Sequence, residues 1–144
     1  LNFREVVNQA REEIQRHLPD LEMDMAGPSR IPILGDQSLL TGAVNSLLIC
    51  ASAFSKGDAP MRLELDSMPP GVRMTVHISG PPLSREDLDK IFAPMSFSQH
   101  ETGGGSRAAM GLYFTRAVVR FHGGNLQVTE GPDQSPVFTM ELPA

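Results

Sequence analysis

The chain holds one cysteine, Cys50, among 144 residues, so no disulfide can form within it and nothing staples the fold covalently. That usage fits a reducing compartment. Positive charge is also in short supply. Twelve Lys and Arg face seventeen Asp and Glu, and the formal charge of -5 gives no electrostatic footprint for nucleic acid or an anionic membrane. No apolar run reaches the roughly 18–20 residues of a membrane span, and no secretory signal is visible. Internal repeats, a domain boundary and any Ser/His/Asp or Cys/His catalytic grouping are all missing from the pattern. What remains is ordinary for a globular domain: 40% apolar and 20% charged residues, in a length that supports one real core. The first residue is Leu1 rather than Met, as expected for a fragment of a longer protein.

Periodicity divides the chain into nine elements. Asn2 and Glu5 read as a capping box for a helix over about residues 3–17, stopped by Pro19. Leu21, Met23 and Met25 alternate with acidic residues, as in a half-buried strand. Asp36 reads as the N-cap of a second helix with a broad apolar face from Leu39 to Ala51, broken at Ser55–Pro60. Met61–Leu65 and Val72–Ile78 flank a Pro-Pro-Gly turn and predict a hairpin. Ser84 and Asp87 cap a short helix to about Ile91, and residues 93–108 lack any period. A helix from about Ala109 to Phe121 is expected to bury Leu112, Ala117, Val118 and Phe121, before a terminal hairpin around residues 131–133. The order α-β-α-β-β-α-α-β-β predicts an α+β fold, a two-layer α/β sandwich with helices packed on one face of a mixed β-sheet.

The most telling stretch is Gly103–Gly124, GGGSRAAMGLYFTRAVVRFHGG. A glycine run entering a helix leaves unpaired N–H groups at the positive end of the helix dipole, which is a place for phosphate. His122-Gly-Gly124 reads as the turn that ends the helix, with glycine supplying positive φ. His77 alternates outward on its strand as a surface histidine, and His100 with Glu101 is too small a group for a metal site. The eight methionines read mostly as core, with Met95 and Met110 flanking the aperiodic segment as an adaptable partner surface.

In this order the segments resemble the ATP-binding domain of two-component sensor histidine kinases, of the GHKL (Bergerat) ATPase superfamily. The resemblance is carried by Asp36 with LLTGAVNSLL, by Glu86–Ile91-Phe92-Ala-Pro94, and by Gly111-Leu112 with Arg116 and His122-Gly-Gly124. It covers about Asn2 to Leu142, essentially the whole chain. It implies the Bergerat fold, one domain over residues 1–144, a lid loop at 93–108, and ATP bridged by Mg²⁺ as the cofactor pair. Partners implied are a helical dimerisation and phosphohistidine segment of the same parent protein, and a response regulator receiver domain or another kinase. No nucleic acid and no membrane contact by this domain are expected, and the implied location is cytoplasmic, whether or not the parent is membrane-anchored.

Carried over position by position, the family's polar ligands are largely replaced. The helix motif Asn-Leu-Leu-x-Asn-Ala falls on Ser46 to Ala51, so Ser46 and Cys50 stand at the two Asn positions and Ala53 at the following Lys. Asn45 lies one residue early, about 100° round the helix. The motif Asp-x-Gly-x-Gly falls on Ile78 to Pro82, keeping Gly80 alone. The motif Gly-x-Gly-Leu-Gly-Leu falls on Arg107 to Leu112, keeping Gly111 and Leu112. The vestigial nucleotide pocket therefore comprises Asn45, Ser46, Gly80, Gly105, Arg107, Gly111 and Leu112, with no catalytic and no metal-binding residue. No histidine lies in the acidic helical context of the family's phosphoacceptor. The expected function is a histidine-kinase-type domain with weak or absent ATP binding, in a pseudokinase or docking role. The alternatives are a divergent active kinase domain and the supporting domain of a histidine phosphotransferase.

Overall fold

Alternation puts one side of every strand into the core. In the computed structural model, residues 1–56, 60–68, 71–93, 104–131 and 133–143 are described, with backbone alone over 104–111. The elements are α1 (Phe3–His17), β1 (Met23–Ala26), α2 (Gln37–Phe54), β2 (Met61–Met68), β3 (Gly71–His77), α3 (Arg85–Ile91), α4 (Gly104–Phe121), β4 (Asn125–Glu130) and β5 (Pro136–Leu142). This is the order that periodicity predicts. The sheet runs β1-β2-β3-β5-β4, with β1 parallel to β2 and every other pair antiparallel, which makes it mixed.

The register explains the single core. Met25, Leu63, Val76, Phe138 and Val128 are consecutive cross-strand partners, and the next row is Leu65, Met74, Met140 and Leu126. These rows share a face, because side chains repeat every two residues along a strand. The other face is polar. There Arg73 holds its cross-strand partner Glu141 at 2.8 Å, and His77 lies 3.0 Å from Glu64. His77 is thus a half-buried partner of Glu64 rather than a free surface residue.

Helix α2 is the central helix of the apolar layer. Its 18 residues average a hydropathy of 1.3, enough in length and composition for a membrane span, contrary to the expectation from the sequence. Here that apolarity is used as a core: Leu40, Ala43, Val44, Leu47, Leu48, Cys50 and Ala51 are all buried. Its N-terminus is capped as expected, the Asp36 carboxylate accepting from Leu39 N–H at 2.9 Å. At α1 the reciprocal capping box is not formed. Asn2 Oδ1 accepts from Arg4 N–H and also from Ile31 N–H at 2.8 Å, so the cap doubles as an anchor for the 29–31 loop. At α3 the Ser84–Asp87 capping box is complete.

Helix α4 departs from expectation at both ends. It begins at Gly104 rather than near Ala109, so residues 104–108 of the expected lid loop are helical, while 94–103, with Met95, His100 and Glu101, lie outside the described residues. Its buried face is Leu112, Thr115, Val118 and Val119; Ala117 is exposed and Phe121 is 77% exposed. The reason is Thr115. Its hydroxyl donates to Ala43 O of α2 at 3.0 Å, which satisfies a polar group on the packed stripe and rotates the face away from Ala117 and Phe121.

The α2 start and the α4 end are tied by His122. Its Nδ1 lies 2.9 Å from Val118 O and its Nε2 accepts from Asp36 N–H at 3.0 Å, which fixes the neutral ring with the proton on Nδ1. Gly123 then turns the chain at φ +81. His122→Ala removes both bonds and should lower stability by about 1–2 kcal/mol, read as a lower urea midpoint with an unchanged slope. An unchanged midpoint would show that the ring bears no load.

Candidate functional site

Three ties bring together the segments that carry the site residues named from the sequence. The turn after β3, Ile78-Ser79-Gly80, is stitched to the end of α2: Lys56 N–H donates to Ser79 O at 2.6 Å. A Cβ on Gly80 would stand 2.7 Å from Phe54 O, so only glycine lets the two backbones approach this closely. The end of α3 is tied to α4 by Arg116, which donates to Phe92 O at 3.1 Å while its guanidinium lies 4.7 Å from the centre of the Phe92 ring. The third tie is the Thr115 bond from α4 to α2. Thr115 and the Arg116–Phe92 pair were not singled out as contacts in the sequence. The available signal for Thr115 was its position three residues after Leu112, on the same helical stripe.

Within this frame the named residues separate. Ser46 is half-buried and shares a side of α2 with Gly42 and Ala53, the side on which Gly42 faces Phe114 of α4. Asn45 sits about 100° away, on the flank with Thr41 and Ser52. There Asn45 Oδ1 and Thr41 Oγ1 are buried without a hydrogen-bond partner. Gly80 is half-buried in its turn, and Leu112 is fully buried in the core. Gly105, Arg107 and Gly111 lie in the first eight residues of α4, where the backbone alone is described.

Two of the positions where the resemblance demands polar ligands are occupied by core. Ile78 is 5% exposed and Cys50 fully buried, both within the main hydrophobic cluster. Burial pushes the Cys50 thiol up to about 12, so it stays protonated and neutral at physiological pH. A neutral thiol is a poor ligand for Mg²⁺, which takes hard oxygen donors. An aliphatic side chain accepts no hydrogen bond from an adenine amino group. Among the described residues no group of three His, Cys, Asp or Glu is placed to hold a metal ion. The described residues therefore do not fit Mg-ATP as its binding chemistry requires.

A cavity of about 450 Å³ on the polar side of the sheet is lined by Asp24, Arg62, His77, Ser79, Asp133 and Ser135. Asp133 is held below its ordinary carboxylate range by the Ser135 N–H and hydroxyl, with His77 adding a smaller attraction. A shallower hollow of about 360 Å³ lies beside Met68, Val72 and Asn125.

Comparison with known proteins agrees with the fold and with the family resemblance. Residues 35–144 match the family model described as histidine kinase-, DNA gyrase B-, and HSP90-like ATPase, and the chain belongs to that family as a sensor-histidine-kinase type of ATP-binding domain. The sensor-like histidine kinase SenX3 of Mycobacterium bovis is 26% identical over 139 residues, 94% of this chain and 33% of that protein. The heme sensor protein HssS of Staphylococcus aureus is 27% identical over 150 residues, 95% of this chain and 30% of that protein. The chain thus spans about a third of the length of these curated relatives. Among solved structures, the mycobacterial sensor histidine kinase MprB superposes with a TM-score of 0.80 at 24% identity, covering 99% of this chain and 95% of that one. The catalytic domain of histidine kinase ThkA gives 0.77 at 23% identity, covering 99% and 94%.

The burial of Cys50 carries a direct consequence. In the native chain at pH 8, Ellman's reagent should label Cys50 only as fast as the protein unfolds, and in denaturant at once. Because the thiol is held above its ordinary value, its contribution to stability should be constant up to about pH 9 and be lost as pH rises towards 12. Rapid native labelling would place the thiol at a surface.

Proposed function

We propose that this domain has kept the architecture of a histidine-kinase ATP-binding domain while its ATP binding is weak or absent, and that it serves as a docking module in a phosphorelay. The observation that carries this reading is the joint replacement of ligands by core at Ile78 and Cys50, both buried in one hydrophobic cluster. Loss of one hydrogen bond to a charged group costs roughly 1.5–3 kcal/mol, about ten- to a hundred-fold in affinity. The missing metal-binding amide and the Arg107 and Ala109 replacements of lid glycines act on the same ligand, so the deficits accumulate. In this reading Asn45, Ser46, Gly80, Gly105, Arg107, Gly111 and Leu112 are the remnant of the nucleotide pocket. The domain works beside a helical segment of the same parent protein that bears the phosphohistidine and dimerises. A response regulator receiver domain or a second kinase is the signalling partner, and the domain lies in the cytoplasm.

Titration calorimetry with Mg-ATP tests this. The expected result is no saturable heat corresponding to a Kd tighter than about 100 µM. Tighter binding that a chelator abolishes, or autophosphorylation of the purified full-length parent, would overturn it in favour of a divergent active kinase.

A further inference from the structure

The polar face of the sheet, away from the helices, carries charge that the domain leaves uncompensated. Asp24, Arg62 and His77 are consecutive cross-strand partners in one row of that face, and Glu64, Thr75, Thr139 and Gln127 follow in the next. Every basic side chain described on these strands is already engaged by a carboxylate. Arg62 and His77 lie 3.4 and 3.0 Å from Glu64, and Arg73 lies 2.8 Å from Glu141. Asp24, Asp66 and Asp133 have no ion pair among the described residues. The free charge of this face is therefore negative throughout.

The cavity of about 450 Å³ lies where that charge gathers, and its size is that of a ligand cleft, about 300–1,000 Å³. Asp24 of β1 and Asp133 of the β4–β5 turn line it with the hydroxyls of Ser79 and Ser135, while Pro60 and Val137 supply apolar wall. Carboxylates beside apolar wall suit a basic side chain, whose methylene stem packs while its charged head is paired. The Ser135 N–H and hydroxyl hold the Asp133 carboxyl below its ordinary range, so it stays ionised at neutral pH. Asp66 stands four residues beyond Arg62 on β2, roughly 13 Å away at about 3.3 Å per residue, out of reach of a side chain seated in the cavity. Unpaired carboxylates at this spacing match several cations on one extended chain, and Thr75, Thr139 and Gln127 offer its backbone hydrogen bonds. We propose that the polar face of the sheet docks a basic segment of a partner protein, with one arginine or lysine side chain entering the cavity between Asp24 and Asp133. This rests on the reading of the domain as a docking module and gives that module a surface and a partner chemistry. Asn45, Ser46, Gly80 and Leu112 of the nucleotide remnant take no part in the lining.

Fluorescence anisotropy tests the proposal, with a fluorescein-labelled, amidated tri-arginine peptide titrated with the 144-residue chain at about 0.1 M salt and without nucleotide. Saturable binding is expected, weakened about threefold by Asp24→Asn or Asp133→Asn and about tenfold by the two together. Asparagine keeps an acceptor for the Ser135 N–H at the Asp133 position, and circular dichroism checks the fold of each variant. Glu12→Gln removes an exposed charge from α1, in the helix layer, and should leave the affinity unchanged. An equal loss with Glu12→Gln assigns the binding to net charge and overturns the proposal. Absence of saturable binding, or equal affinity for the peptide with citrulline in place of arginine, also overturns it. Displacement of the peptide by spermidine at equal or lower concentration overturns it in favour of a small polyamine. The readout needs no nucleotide, so this result and the Mg-ATP calorimetry can fail separately.

Discussion

Helix α2 has more apolar surface than one neighbour can cover, and the rest of the domain is arranged to cover it. Leu40, Leu47 and Ala51 face one way, Ala43 and Cys50 another, and Val44 and Leu48 a third. Fully burying each large side chain of this kind contributes about 1.5–3 kcal/mol, so the sheet, α1 and α4 are each held by what they remove from water. The directional ties then fix the angles: Asp36 and His122 at one end, Thr115 along the length, and Lys56 with Ser79 at the other.

That constraint bears on the site. A helix serving as a ligand platform must hold polar groups where burial is deepest, and each such group costs a few kcal/mol if its partner is absent. At Cys50 and Ile78 the chain takes the other solution, in which the side chains add to the core. Gly80 has a structural role of its own, since its lack of a side chain lets the turn lie on Phe54 O. Gly123 survives for its positive φ.

Much of the fold was legible in the sequence, and the limits are instructive. The alternating strands and the caps at Asp36 and Ser84 are local signals, and the structure uses them as read. On α4 the period finds Leu112 and Val118 but not Thr115, because a buried threonine is invisible to an apolar period; only its acceptor, Ala43 O in another element, makes it a core residue. The early start of α4 was equally hidden, since glycines argue against helix on propensity alone. Asn45 illustrates the site. One residue of sequence offset becomes about 100° of helix rotation, which puts it on the flank with Thr41 rather than beside Ser46. The bond from Asp36 N–H to His122 Nε2 joins residues 86 positions apart, a relation no local pattern contains.

The central claim is that core has replaced ligand at the nucleotide site. The most direct test is a crystal of the chain soaked with Mg²⁺ and a non-hydrolysable ATP analogue. The account predicts no ordered analogue between α2, the Ile78–Gly80 turn and α4, with Ile78 and Cys50 still packed in the core. Electron density for the analogue and a coordinated metal ion in that place would contradict it.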